Sequence, residues 1–164
     1  MYCLLVRFLL YIQIDYPTEL EELNILKNTT GTSEESVKPI LTAREIIELQ
    51  QLVRQIPISD DLISFVNNIV RSTRPNATKV EFVKTYVRWG AGPRAGQAMI
   101  LTAKAIALLY GRFAVTKADI MEVAFPVLRH RILINFKAEA DQITSDDITK
   151  HLVSTLELPK NGIN

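Results

Sequence analysis

From Phe8 the chain alternates, with Phe8, Leu10, Ile12 and Ile14 on one side and Leu9, Tyr11, Gln13 and Asp15 on the other. This is the period of a strand, and it stops at Tyr16-Pro17. The period then lengthens. Thr18 to about Lys27 reads as a short helix with Glu19, Glu21 and Glu22 in its first turns, where the dipole favours anions. Asn28 to Pro39 is polar and rich in turn formers, so it reads as a loop or linker. Thr42-Ala43-Arg44-Glu45 is a capping box, and the helix it opens carries Ile46, Leu49, Leu52, Val53 and Ile56 at core spacing up to Pro57. Ser59-Asp60-Asp61 starts the next helix, with Leu62, Ile63, Val66, Ile69 and Val70 facing inward and an end near Arg71 to Pro75.

Phe82, Tyr86 and Trp89 follow on a less regular stretch that reads as a short helix, with Trp89 wedging the turn before Gly90. Pro93 to Tyr110 is apolar nearly all round, the pattern of a central buried helix, and Gly111 is placed to end it. Thr116 caps a helix to about Arg129 that Pro126 kinks or shortens. After the irregular RHRILINF stretch, Ser145-Asp146-Asp147 caps a last helix through about Leu156. The pattern is that of a helical bundle behind one strand. That strand needs a partner, because an isolated one leaves a row of unpaired N–H and C=O groups.

Met1 to Ile14 is apolar enough to raise the question of a membrane span or a signal peptide. It lacks a positively charged start and a cleavage site, Arg7 interrupts it, and it falls short of the roughly 20 residues a spanning helix needs. The 164 residues suffice for one ordinary domain, and 48% hydrophobic content supports a packed core. A net charge of +1 argues against a dedicated binder of nucleic acid or acidic membrane. The single cysteine, Cys3, excludes a disulfide framework within the chain and fits a reducing compartment, the cytoplasm. His130 and His151 lie far apart without ligand spacing, so no metal site is expected.

Candidate chemistry gathers at Gly90-Ala91-Gly92-Pro93-Arg94. An arginine in the first turn of a helix is locally unfavourable unless an anion answers it. Helix N–H groups and a guanidinium converging on one spot can hold a phosphate, with Gly90 and Gly92 allowing close approach and unusual backbone angles. An Arg94 that is solvated, or paired with an internal carboxylate, accounts for the same residues.

The stretch Trp89-Gly90-Ala91-Gly92-Pro93-Arg94-Ala95 resembles the sensor II segment of the MoxR-type AAA+ ATPases. Val115-Thr116-x-x-Asp119-Ile120, Pro126-Val127-Leu128-Arg129-His130-Arg131, Asn135-Phe136-x-Ala138-Glu139-Ala140 and Thr144-Ser145-Asp146-Asp147 resemble the same family in the same order, as does Val70-Arg71-x-Thr73-Arg74 upstream. Arg7-Phe8 before the alternating strand and Asp15-Tyr16-Pro17 looks like the end of that family's nucleotide-binding core. The sequence departs from the family at Val6, where the family has aspartate, and at Met1 to Leu4.

The resemblance implies a mainly α fold, a helical-bundle AAA+ lid domain preceded by one orphan β-strand from the α/β core. It divides the chain into a core remnant (1–16), a helix and linker (17–40), the lid domain (41–158) and a tail (159–164). Arg94 would be the sensor II arginine, with Gly92 and Pro93 shaping its turn at the phosphates of ATP held with Mg2+ by the missing core. Arg7 would be the arginine finger that reaches the neighbouring subunit. Loss of the γ-phosphate would release the lid with Gly90 to Gly92 as its hinge. The family implies neighbouring AAA+ subunits in a homo-oligomeric ring, a von Willebrand-type partner, and chaperone-like assembly or metal-cofactor insertion. It also implies a chain that is truncated, mis-started or split. No G-x-x-x-x-G-K-[ST] loop and no strand ending in paired acidic residues is present, so the chain alone is expected not to hydrolyse ATP. The alternative is a stand-alone helical interaction module that has lost its nucleotide chemistry.

Overall fold

The computed structural model describes residues 6–31 and 38–156. The centre of the expected linker, Cys3, the start of the expected core remnant and the expected tail lie outside the described residues. Eight helices and a two-stranded sheet are present among them: α1 (Glu19–Thr29), α2 (Ala43–Gln55), α3 (Asp60–Ser72), α4 (Glu81–Tyr86), β1 (Val87–Trp89), α5 (Pro93–Leu109), α6 (Lys117–Leu128), β2 (Leu133–Ile134), α7 (Phe136–Ala140) and α8 (Ser145–Thr155). The mainly helical bundle is as expected.

Side-chain caps start most of these helices. The hydroxyls of Thr18, Thr42, Thr116 and Thr144 accept from the third residue of their helices, while Glu21, Glu45, Asp119 and Asp147 reach back to the cap N–H. The cap of α8 is therefore Thr144, one residue before the expected Ser145, because only from Thr144 does the box close on Asp147. Asn135 caps α7, a short helix the pattern did not announce. Helix α5 closes at Gly111 (φ 65°), with Gly111 N–H donating to Leu108 and Arg112 N–H to Ala107, a Schellman end. Helix α6 runs on through Pro126 to Leu128 rather than breaking there.

Helix α5 is the axis of the bundle. No residue from Ala98 to Leu108 is exposed, and the buried Ala95, Ala98, Ala103 and Ala107 let its neighbours come close. It packs on α6, α3 and α2, and α6 packs in turn on α8. Phe65, Ile69, Met99, Ile120, Leu128, Ile148 and Leu152 are fully buried between them. The expected inward faces hold for α3 except at Ile63, which is exposed. In α2 only the end engages: Ile56 beyond its last turn is buried, whereas Ile46, Leu49 and Leu52 stay exposed. Helix α1 likewise buries none of its residues.

The sheet is β1 against β2, antiparallel, with Val87 opposite Ile134 and Trp89 opposite Leu133 across an irregularity. The expected strand at Phe8 to Asp15 takes no ladder from it. Residues 6–9 turn and bend, and 10–18 follow without regular structure. Phe8, Ile12 and Ile14 are exposed, while Leu10 packs against the core. Backbone groups of this segment are answered instead by the Pro126 carbonyl and by arginine side chains, which give it no ladder.

Candidate functional site

The turn before α5 is fixed from α3. Thr73, at the end of α3, is fully buried; its hydroxyl donates to the Val70 carbonyl (2.6 Å) and accepts from Ala91 N–H (2.8 Å). Arg74 Nε donates to the Ala91 carbonyl at 2.9 Å. Both backbone groups of Ala91 are thus held by two consecutive side chains. The approach is so close that a Cβ on Gly90 would lie 2.4 Å from the Thr73 carbonyl oxygen. Gly90 is glycine for that reason. Gly92 differs from the expectation: its φ is −89° and a Cβ there would meet nothing, so it serves as an ordinary N-cap with no side-chain bond. Where a hinge was expected, the turn is stapled at Thr73 and Arg74 and pressed against their backbone. Trp89 does not wedge it either, being 73% exposed on the rim of a surface groove of about 460 Å3 that Arg74 and Arg88 also line.

Pro93 takes the first position of α5, where its missing N–H costs nothing, and Arg94 the second. The Arg94 side chain is exposed and forms no hydrogen bond or ion pair among the described residues, so no internal carboxylate answers it. Arg7 is likewise exposed and unpaired among them. Arg7 and Arg94 line the same small cavity, of about 170 Å3, together with Gln97 and Arg131.

Arg131 belongs to the triplet Arg129-His130-Arg131, whose ordinary reading is a set of cations complementing a helix end. The structure gives it a sharper role. Arg129 forks onto Asp146 (2.7 to 3.0 Å) and donates to the Tyr11 carbonyl at 3.1 Å. His130 Nε2 lies 3.1 Å from the Phe8 carbonyl, and Arg131 donates to the carbonyls of Phe8, Leu9 and Val127. Tyr11 N–H donates to the Pro126 carbonyl at 2.8 Å. The acceptors a strand neighbour would have satisfied are taken by side chains after α6. The signal lay in the sequence as two halves, an apolar segment with no partner strand and three consecutive basic residues.

Arg131 is 6% exposed, its Nε has no partner, and burial pushes its pKa down. Burial is also the main cause that holds His130 below its ordinary value, with the Arg131 charge adding to it against bonds to the Phe8 and Pro126 carbonyls. The remaining buried ion pair is structural. Arg112 forks onto Asp119 (2.5 and 2.7 Å) and, against the cost of burial, together with the Thr116 bonds holds that carboxyl down to about 2. His151 stacks near Phe82, ring centres 4.7 Å apart, on the far helix. No helix among the described residues is long and apolar enough to cross a membrane.

Residues 81–152 match the family model of the AAA lid domain. The chain is 33% identical over 155 residues to the chaperone MoxR1 of Mycobacterium tuberculosis, covering 94% of this chain and 41% of that protein. It is 28% identical over 154 residues to the uncharacterized protein YeaC of Bacillus subtilis, covering 93% of this chain and 46% of that one. A crystal structure of a Cytophaga hutchinsonii protein, described there as an ATPase by proposal, superposes with a TM-score of 0.89 at 27% identity over 98% of this chain and 49% of its own. The chain therefore spans less than half the length of the curated relatives it matches. The lid-domain match contains Arg94 and the basic triplet, with the stapling Thr73 and Arg74 just upstream of it, and the chain corresponds to the C-terminal, lid-bearing part of a MoxR-like AAA+ protein.

Proposed function

We propose that the chain acts as the nucleotide-responsive lid of a chaperone-like, ring-forming ATPase, with Arg94 as its sensor II contact to the phosphates of ATP. The observation that carries this is the unpaired Arg94 on the first turn of a buried helix whose origin Thr73 and Arg74 fix. A cation held ready at a helix N-terminus, with no internal anion, fits a phosphate. Among the described residues no carboxylate lines the cavity it shares with Arg7, so the residues present suit the phosphates of ATP and leave Mg2+ to ligands on a nucleotide-binding core. Bound there, ATP would supply the phosphate charge that draws the lid down.

On this reading Gly92 and Pro93 shape the turn, and Arg7 is the arginine finger. Neighbouring AAA+ subunits in a homo-oligomer are the partners, a von Willebrand-type protein is a further one, and assembly or metal-cofactor insertion in the cytoplasm is the task. The likeness to the Mycobacterium tuberculosis chaperone supports the class of activity. Arginines aimed at transferring phosphates change turnover by about a thousandfold or more in related chemistry. Arg94→Ala is expected to lower ATP turnover of the assembled ATPase containing this chain by at least about tenfold, the share of one lost charge-assisted bond. Unchanged turnover at saturating ATP overturns the assignment.

A further inference from the structure

The segment that carries Arg7 has no helix or strand of its own to fix it. Residues 6–9 turn and bend, 10–18 run on irregularly, and Phe8, Ile12 and Ile14 are exposed. What holds the segment is the turn after α6. Arg131 donates to the carbonyls of Phe8 and Leu9, His130 Nε2 lies 3.1 Å from the Phe8 carbonyl, Arg129 donates to the Tyr11 carbonyl, and the Pro126 carbonyl accepts from Tyr11 N–H. These contacts begin at the residue after Arg7. They fall on backbone, so the Arg7 side chain itself stays exposed.

Stability is a poor reason for an arginine at position 131. Its guanidinium is buried, and among the described residues its partners are the carbonyls of Phe8, Leu9 and Val127, with no carboxylate and with Nε unpartnered. An apolar side chain of similar volume is often as stabilising as a buried charge, or more so. What an apolar side chain lacks is direction. A guanidinium is planar and holds its donors at fixed angles, so a fork that bridges Val127 of α6 to Phe8 and Leu9 sets where the segment lies against that helix. Helix α6 packs on α5, whose first turn carries Arg94, and Arg7 and Arg94 line one cavity. The base of the Arg7 arm is thus anchored to the helical bundle and travels with it.

We propose that Arg131, helped by Arg129 and His130, is a positioning residue for the arginine finger: it ties the backbone after Arg7 to the lid, so that the lid of each chain sets the reach of Arg7 toward the neighbouring subunit. The inference rests on the reading of Arg7 as that finger and extends it by giving the basic triplet a part in the neighbour's turnover. Position matters at such a site, since a displacement of about 1 Å in a reacting or stabilising group can cost about a hundredfold in rate.

The test is ATP turnover of the assembled ATPase containing this chain, in uniform and in mixed rings. Arg131→Met is expected to lower kcat at least about tenfold while KM for ATP changes by less than about twofold, because a finger acts on the transferring phosphate rather than on binding. In rings mixed with subunits whose own nucleotide-binding core is inactivated, the intact finger of the inactivated subunit meets the intact core of the variant. Turnover is expected to rise severalfold above that of either uniform ring. A folding defect, or damage to the variant's own nucleotide site, stays with the variant and gives no such rise. Unchanged kcat with Arg131→Met, or a loss that mixing does not restore, overturns the proposal. Arg7→Ala, taken through the same mixing, separates the two readings: full turnover with Arg7→Ala overturns the finger assignment and the proposal with it, whereas a loss restored by mixing for Arg7→Ala and not for Arg131→Met overturns the positioning role alone. Should Arg131→Met fail to fold, Arg129→Gln removes the Tyr11 contact from a partly exposed side chain and is judged by the same outcomes.

Discussion

At Gly90 the space a side chain would need is filled by backbone: a Cβ would meet the Thr73 carbonyl carbon at 2.6 Å and Arg74 N at 2.7 Å as well as the Thr73 oxygen. Backbone in the middle of a stapled turn has little freedom to yield. Gly90→Ala is therefore expected to destabilise the chain by about 3 kcal/mol, the upper end for overpacking, and thermal unfolding measures it. Gly92→Ala serves as its comparison, since nothing lies within 4 Å of a Cβ there and only the smaller loss of a favoured N-cap residue, about 1 kcal/mol, is expected. A sequence reader sees two similar glycines and a proline-arginine pair. The difference between them lies in Thr73 and Arg74, far back along the chain at the end of α3, and no local pattern encodes that approach.

Among the elements, periodicity located the helices well because the capping residues are explicit: Thr18, Thr42, Ser59 and Thr116 start α1, α2, α3 and α6 where the sequence places them. It located burial less well. Helix α2 has the apolar stripe of a core helix, yet Ile46 is 46% exposed, because α5 meets only the last part of α2. A stripe states that a helix has something to cover and not what covers it. Ile46→Ser is expected to change stability by under about 1 kcal/mol, whereas Phe65→Ala, at a side chain with no exposure, is expected to cost about 3 to 5 kcal/mol. Parallel urea denaturation of the two variants separates them. The strand pattern at Phe8 to Asp15 misled in the same way: the alternation is real, and its answering groups are on side chains 118 or more positions away.

For the whole molecule, one of the contacts on the N-terminal segment is made by a histidine that burial holds against protonation. Burial holds His130 below 6.5, its ordinary value, so the unfolded chain takes up the proton first as pH falls. The contribution of His130 is fully present above about pH 6.5 and declines as pH drops through the lower, folded value, after which no more is lost. The groups that face it are the Phe8 and Pro126 carbonyls, the Tyr11 ring and the Arg131 charge. Exchange of the Tyr11 amide, which donates to Pro126, is expected to quicken between pH 6.5 and 5 relative to core amides of α5 after correction for intrinsic rates. Equal pH dependence at both places would show that the segment does not depend on His130.

The staple at Ala91 has a mechanical meaning. Because the Thr73 and Arg74 side chains hold both backbone groups of Ala91, and Phe65 and Ile69 bury α3 in the bundle, the arm that ends in Arg94 is braced from α3. A force applied at the Arg94 guanidinium would pass through that brace into α3 and from there to the helices packed on it. The domain answers a pull on one arginine by turning as a block, like a lever whose handle is forged to the beam.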